Sequence, residues 1–174
     1  MKRYSIIRSF CVLVTLSWCM ISCDGFLKES PRDALPEEEG YRNITELYLN
    51  AVASLYNYIG GNSDSQGLQG TGRGIYDLNT FTTDEAIMPT RGGDWYDGGF
   101  WQGLFLHKWG INNDAIQATW EYLYKVVMLS NKSLEQIESY ALTHADAELP
   151  AYRAEVRALR AMYYYYLTDL FGSI

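Results

Sequence analysis

Two long apolar stripes in the second half of the chain constrain its fold more than any other feature. Residues 155–172 read E-V-R-A-L-R-A-M-Y-Y-Y-Y-L-T-D-L-F-G. At helical pitch Val156, Leu159, Tyr163, Tyr166 and Leu170 fall three or four apart and make one stripe, widened by Met162 and Leu167. Arg153, Arg157 and Arg160 lie beside it. Gly172 suits a C-terminal cap, where a positive φ costs glycine little. A face this wide and aromatic needs partner helices.

The sequence just before supplies one. Across residues 113–139, Ile116, Trp120, Leu123, Val127, Leu134 and Ile137 repeat at the same spacing, with Ser130 and Asn131 interrupting the stripe. Residues 143–146 and Pro150 lie between the two stretches. Asp146 is placed to cap the second helix, and Pro150 falls in its first turn, where a missing N–H does little harm. Two long amphipathic helices on a short connection pack antiparallel as an αα-hairpin, the unit of helical repeat proteins.

That second stretch, preceded by W-E-Y-L-Y-K-V-V-M-L-S-N-K-S-L-E-Q-I, resembles the N-terminal part of the SusD/RagB-like family. The resemblance implies a mainly α fold: tetratricopeptide-like helical hairpins with irregular ligand-facing loops. It implies a glycan- or nutrient-binding lipoprotein of the outer membrane that delivers oligosaccharide to a SusC-type TonB-dependent transporter, with no cofactor. Family members are several hundred residues long, so a 174-residue chain reads as an N-terminal fragment.

Residues 1–22 read as an export signal. Lys2, Arg3 and Arg8 form a charged start, and residues 10–21 are apolar but too short for a bilayer, which takes about 20 apolar residues. Met20-Ile21-Ser22-Cys23 resembles a bacterial lipobox, with Met20 where leucine is usual. Three acyl chains on Cys23 would anchor the protein to a membrane stably, since two already do. The alternative is an ordinary secretory signal with an unmodified Cys23. Cys11 and Cys19 leave with the signal, so the mature fragment holds no cysteine pair for a disulfide or thiol metal site. Residues 23–42 read as a tether and docking segment in which Phe26-Leu27 docks onto the body, and residues 43–174 as an incomplete helical domain.

Charge narrows the function classes. The net charge is −7, and without residues 1–22 the chain holds 11 basic and 21 acidic residues, about −10. A nucleic-acid partner needs a basic footprint and is not expected. Residues 43–59 predict a further helix, with Asn43 and Glu46 at capping-box spacing and Gly60-Gly61 ending it. The glycine-rich stretch 60–74 lacks a Gly-Lys-Ser/Thr or a strand-bound GxGxxG, and reads as a flexible surface loop rather than a phosphate cradle.

Catalysis finds no support. Asp84 and Glu85 are adjacent, whereas a glycosidase pair must converge on one bond from a distance. His107 and His144 lack metal-site spacing, and no Gly-x-Ser-x-Gly occurs. The informative stretch is 90–101, T-R-G-G-D-W-Y-D-G-G-F-W. Glycines let the backbone approach a ligand closely. Trp95 can offer a flat face to a pyranose ring, and Tyr96 lies beside it. Arg91, Asp94 and Asp97 can hydrogen-bond hydroxyls. Core packing is the alternative for Trp95 and Tyr96. Trp101, Phe105 and Trp109 are expected in the core. A helical-repeat scaffold binding peptide or other non-sugar cargo is the alternative function.

Overall fold

In the computed structural model the described residues are 40–61, 67–68, 74–90, 92, 94 and 96–173. The signal, Cys23 and nearly all of the tether segment therefore lie outside them. The described residues belong to one unit, Gly40–Ile174, and form a mainly α fold; beyond an isolated bridge at Asp94 they contain no strand. None of the described helices is long and apolar enough to cross a membrane.

Three consecutive segments, Ile44–Leu47, Tyr48–Ala53 and Ser54–Gly60, form one helix, α1. Asn43 caps it, its Oδ1 accepting from the Glu46 N–H at 2.9 Å. The return bond of the capping box is displaced by one residue, from the Arg42 N–H to Glu46 Oε2 at 3.2 Å. The middle segment is π-wound, and Ser54 Oγ donates to the Asn50 carbonyl at 2.6 Å, the kind of back-bond that loosens a helical ladder. Gly61, with φ 84°, ends the helix.

The glycine-rich stretch is not wholly a surface loop. Leu68 is buried in the core, and its N–H donates to the Ile59 carbonyl at 3.0 Å. Gly67 makes that return possible. It has φ 71°, and a Cβ there would sit 2.5 Å from the Gly61 nitrogen.

Two short helices follow, α2 (Ile75–Phe81) and α3 (Phe100–Phe105). Then come α4 (Asp114–Ala141) and α5 (Leu149–Phe171), the antiparallel hairpin that the stripes predict. Asn113 caps α4, accepting from the N–H groups of Ala115 and Ile116 at 3.1 and 3.2 Å. Pro150 sits in the first turn of α5, and Gly172 ends it with φ 77°. Asp146 does not cap α5. Its Oδ2 accepts from the Tyr140 hydroxyl at 3.1 Å, and no side chain caps that helix.

The main core joins α1, α4 and α5. Leu47, Val52 and Leu55 meet Leu123, Val126 and Ile137, and Val156, Tyr163 and Leu167 close the third side. Burying such side chains fully contributes roughly 1.5–3 kcal/mol each before the entropy of ordering is subtracted. The buried face of α4 is rotated from the expected stripe. Thr119, Ser130 and Ser133 are buried, while Trp120 is 39% exposed, edge-on to Phe171 at 4.9 Å. Small hydroxyl residues let helices approach closely, and Ser130 satisfies itself on its own helix by donating to the Val126 carbonyl at 2.8 Å.

Candidate carbohydrate-binding loop

A second, smaller core carries the loop of interest. Leu78 of α2, Trp101 and Leu104 of α3, and Ala115 at the start of α4 are buried together, with Phe81, Met88, Phe100 and Ile116 packed round them. Trp101 is edge-on to Phe81 and to Phe100, with both centroid separations 4.9 Å. It is a structural residue, as its position predicts. Trp109 is not: it is 42% exposed, beside the His107 ring at 5.2 Å, and the expected core role is wrong for it. Trp109 lies in the short connection between α3 and α4, with Gly110 after it, outside both cores.

The described residues at both ends of the loop meet α3. Gln102 Nε2 donates to Thr90 Oγ1 at 3.5 Å, and Trp101 fixes the other end. Between them, Asp97, Gly98 and Gly99 have φ of 44°, 64° and 83°. Left-handed backbone is natural for the glycines but uncommon for an aspartate, and costs of order 1 kcal/mol or more there. The turn is closed by the Gly99 N–H donating to the Tyr96 carbonyl at 2.7 Å. A side chain on Gly99 would lie 3.5 Å from the Tyr96 hydroxyl oxygen, so the Tyr96 ring folds back over this glycine.

Of the five residues read as possible ligand contacts, Asp94, Tyr96 and Asp97 are described and all face solvent, Tyr96 at 52%. Core packing is thereby excluded for Tyr96. Arg91 and Trp95 lie outside the described residues. An exposed phenol and carboxylate can hydrogen-bond the hydroxyls of a ligand.

Two features near this loop escape sequence reasoning. The helix α2 has no capping side chain and is only seven residues long, so it left little periodic signal. His107, with φ 55°, places Nε2 2.7 Å from the Thr82 carbonyl; the carbonyl accepts, so Nε2 carries the proton. That bond ties the end of α3 to the segment after α2. Asp84 and Glu85 on that segment are both exposed.

Comparison with known proteins gives this geometry a family. A SusD-like family model, described as "Starch-binding associating with outer membrane", matches residues 26–174. The chain is 26% identical over 171 residues to a SusD-like protein of Formosa agariphila, covering 96% of this chain and 31% of that protein. It is 27% identical over 173 residues to the starch-binding protein SusD of Bacteroides thetaiotaomicron, covering 95% of this chain and 29% of that protein. The chain thus spans about 30% of the length of these curated relatives. No solved structure matches it significantly. With the family model matching nearly the whole sequence beyond its first 25 residues, the chain belongs to the SusD-like family.

Proposed function

We propose that this chain is the N-terminal part of a glycan-binding lipoprotein of the outer membrane, and that loop 90–101 is part of its ligand site. The observation that carries this reading is the pairing of family membership with an exposed Tyr96 on the left-handed turn at residues 97–99, beside a small core. Binding is non-covalent. Trp95 supplies a flat apolar platform, Tyr96 a second amphipathic ring, and Arg91 and Asp94 hydrogen bonds to hydroxyls at the rim. The glycine pairs at 92–93 and 98–99 let the ligand approach the backbone. No residue is assigned to bond cleavage, and no cofactor or metal is invoked.

The wider reading follows the same family. Residues 1–22 are an export signal, Cys23 carries the acyl anchor, residues 23–42 are a tether, and the body from residue 43 is displayed at the cell surface. The captured oligosaccharide passes to a SusC-type TonB-dependent transporter, with the tetratricopeptide-like helices as the docking side. The printed name of one relative makes malto-oligosaccharides the first ligand to try.

The test is affinity electrophoresis of the protein through gels containing polysaccharide. Retardation that Trp95→Ala removes, with unchanged thermal unfolding, is the expected result. Unaltered mobility in every polysaccharide, together with co-purification of a TonB-dependent channel, would instead identify a docking scaffold for non-sugar cargo.

A further inference from the structure

Buried polar groups almost always find a hydrogen-bond partner, so one that does not calls for an explanation. Among the described residues, Thr119 Oγ1 is enclosed and bonded to nothing. Other helical hydroxyls satisfy themselves four residues back. Ser130 donates to the Val126 carbonyl at 2.8 Å, Thr82 to that of Leu78 at 2.6 Å and Thr168 to that of Tyr164 at 2.8 Å. Thr119 makes no such bond to the Ala115 carbonyl. Its side chain is already sealed within the fold, so an outside group reaches the oxygen only by parting packed neighbours.

The position of this hydroxyl is informative. Ala115 and Ile116 of α4 belong to the small core, and the α4 members of the main core begin at Tyr122. Thr119 is the buried α4 residue between them. The helix α2 makes the same crossing, with Ile75 in the main core and Leu78 in the small one. The two cores are unequal: among the described residues, four buried apolar side chains make the small one and 17 the main one. The helices α2 and α3 have seven and six residues, well below the roughly 12–15 at which an isolated helix becomes even marginal in water. Asp97 and His107, the non-glycine residues with left-handed backbone among those described, flank α3 on its two sides. A small buried area, strained flanks and an unpaired hydroxyl at the seam all raise the energy of the docked small core. Sequences that break local rules in this way tend to do so at functional positions.

We infer that the small core opens as a unit of its own while the α4–α5 hairpin stays folded, and that Thr119 marks the seam along which it parts. The opening unit is α3, the part of α2 from Leu78 onward and the turn at residues 96–99 that leads into α3. Segments that adjust to a ligand are drawn from the low-stability end of a fold. Parting at this seam lets the turn that carries Tyr96 adjust without disturbing the hairpin. That use rests on the ligand-loop reading; the separate opening does not.

Native-state hydrogen exchange of the full chain in sub-denaturing urea tests it. The α3 amides should exchange through an opening with a smaller urea dependence than the amides at the centres of α4 and α5, because less surface is exposed. Thr119→Val keeps the side chain's shape and nearly the same helix propensity, and it removes the unpaired hydroxyl. It should slow α3 exchange about 5- to 30-fold. Thr119→Ser retains the hydroxyl and should give no slowing. Equal urea dependence for α3 and for the centre of the hairpin would overturn the separate opening. Unchanged or faster α3 exchange in Thr119→Val, or failure of that variant to fold, would mean that the hydroxyl has a partner such as a buried water, and would overturn its place at the seam. These readouts need no oligosaccharide, so their failure is distinct from failure of the ligand-loop reading.

Discussion

Removing one hydroxyl from the middle of the main core should cost more than removing its neighbour, although the two are chemically identical. Tyr163 is fully buried, and its hydroxyl lies 3.1 Å from that of Tyr122. The Tyr122 hydroxyl also donates to the Tyr58 carbonyl at 2.6 Å. A phenol has one proton. The Tyr122 proton is committed to Tyr58, so the Tyr163 proton goes to the Tyr122 oxygen, and the relay runs one way. Burial holds the Tyr122 hydroxyl far above its ordinary pKa, with the Tyr163 bond adding to the effect, so it stays protonated at any working pH. Tyr163→Phe deletes the first donor of the relay and strands nothing that needs a proton, so it should cost about 0.5–1.5 kcal/mol. Tyr122→Phe deletes a bond and also leaves the buried Tyr163 hydroxyl without an acceptor, so it should cost about 2–4 kcal/mol. The Tyr58 carbonyl is less affected, since it keeps the Gly61 N–H at 3.3 Å. The double variant should be no less stable than Tyr122→Phe alone, because the second change removes the stranded group. Urea unfolding at unchanged m-value measures all three. Equal losses for the two single variants, or a larger loss for Tyr163→Phe, would refute the direction of the relay.

Three further outcomes follow from local geometry. Asn113→Ala removes both side-chain bonds to the α4 amino terminus and should lower stability by about 1 kcal/mol in the same urea assay. Gly67→Ala places a methyl against backbone at three points and demands a left-handed alanine, so a loss of about 1–3 kcal/mol and release of Leu68 from the core are expected; an unchanged unfolding midpoint would contradict the packing at that turn. Arg153 grips Glu138 with two bonds of 2.7 and 2.8 Å, and the first of these effects, the hydrogen bonding, lowers the Glu138 pKa below its usual 4.5. The folded value is depressed, so this contribution is present above pH 4.5 and lost as pH falls below it. Glu138→Gln should therefore reduce stability slightly at neutral pH and bring the two midpoints together in acid, while a difference that persists undiminished in acid would point to packing instead.

The hairpin could be read from sequence because both of its helices are long and regularly striped, and because their ends carry unambiguous chemistry: Asn113 before α4, Pro150 inside α5 and Gly172 after it. The same held for Asn43 and Gly61 around α1. What failed was the assumption that size and hydropathy decide burial. In α4 the small polar residues Thr119, Ser130 and Ser133 are buried, while the larger Trp120 lies at the edge of the core. Asp146 was a plausible cap by position, but the Tyr140 hydroxyl reached it first. Leu68 and α2 were missed because a seven-residue helix and a single apolar residue among glycines leave no periodic pattern. In the loop, chemistry was readable and exposure was not: Tyr96 is open and Trp101 closed, although both are aromatic residues within one glycine-rich string. Which ring points outward is set by the small core beneath, formed by residues up to 37 positions away in sequence, from Leu78 to Ala115.

The most direct trial of the ligand-loop proposal is an NMR titration with a panel of oligosaccharides that begins with malto-oligosaccharides, following the indole N–H signals of Trp95, Trp101, Trp109 and Trp120. A saturable shift at Trp95, accompanied by the backbone signals of Asp94 and Tyr96 and sparing the buried Trp101, is the predicted result. Shifts confined to Trp120 or Trp109, or no saturable change with any oligosaccharide, would contradict it.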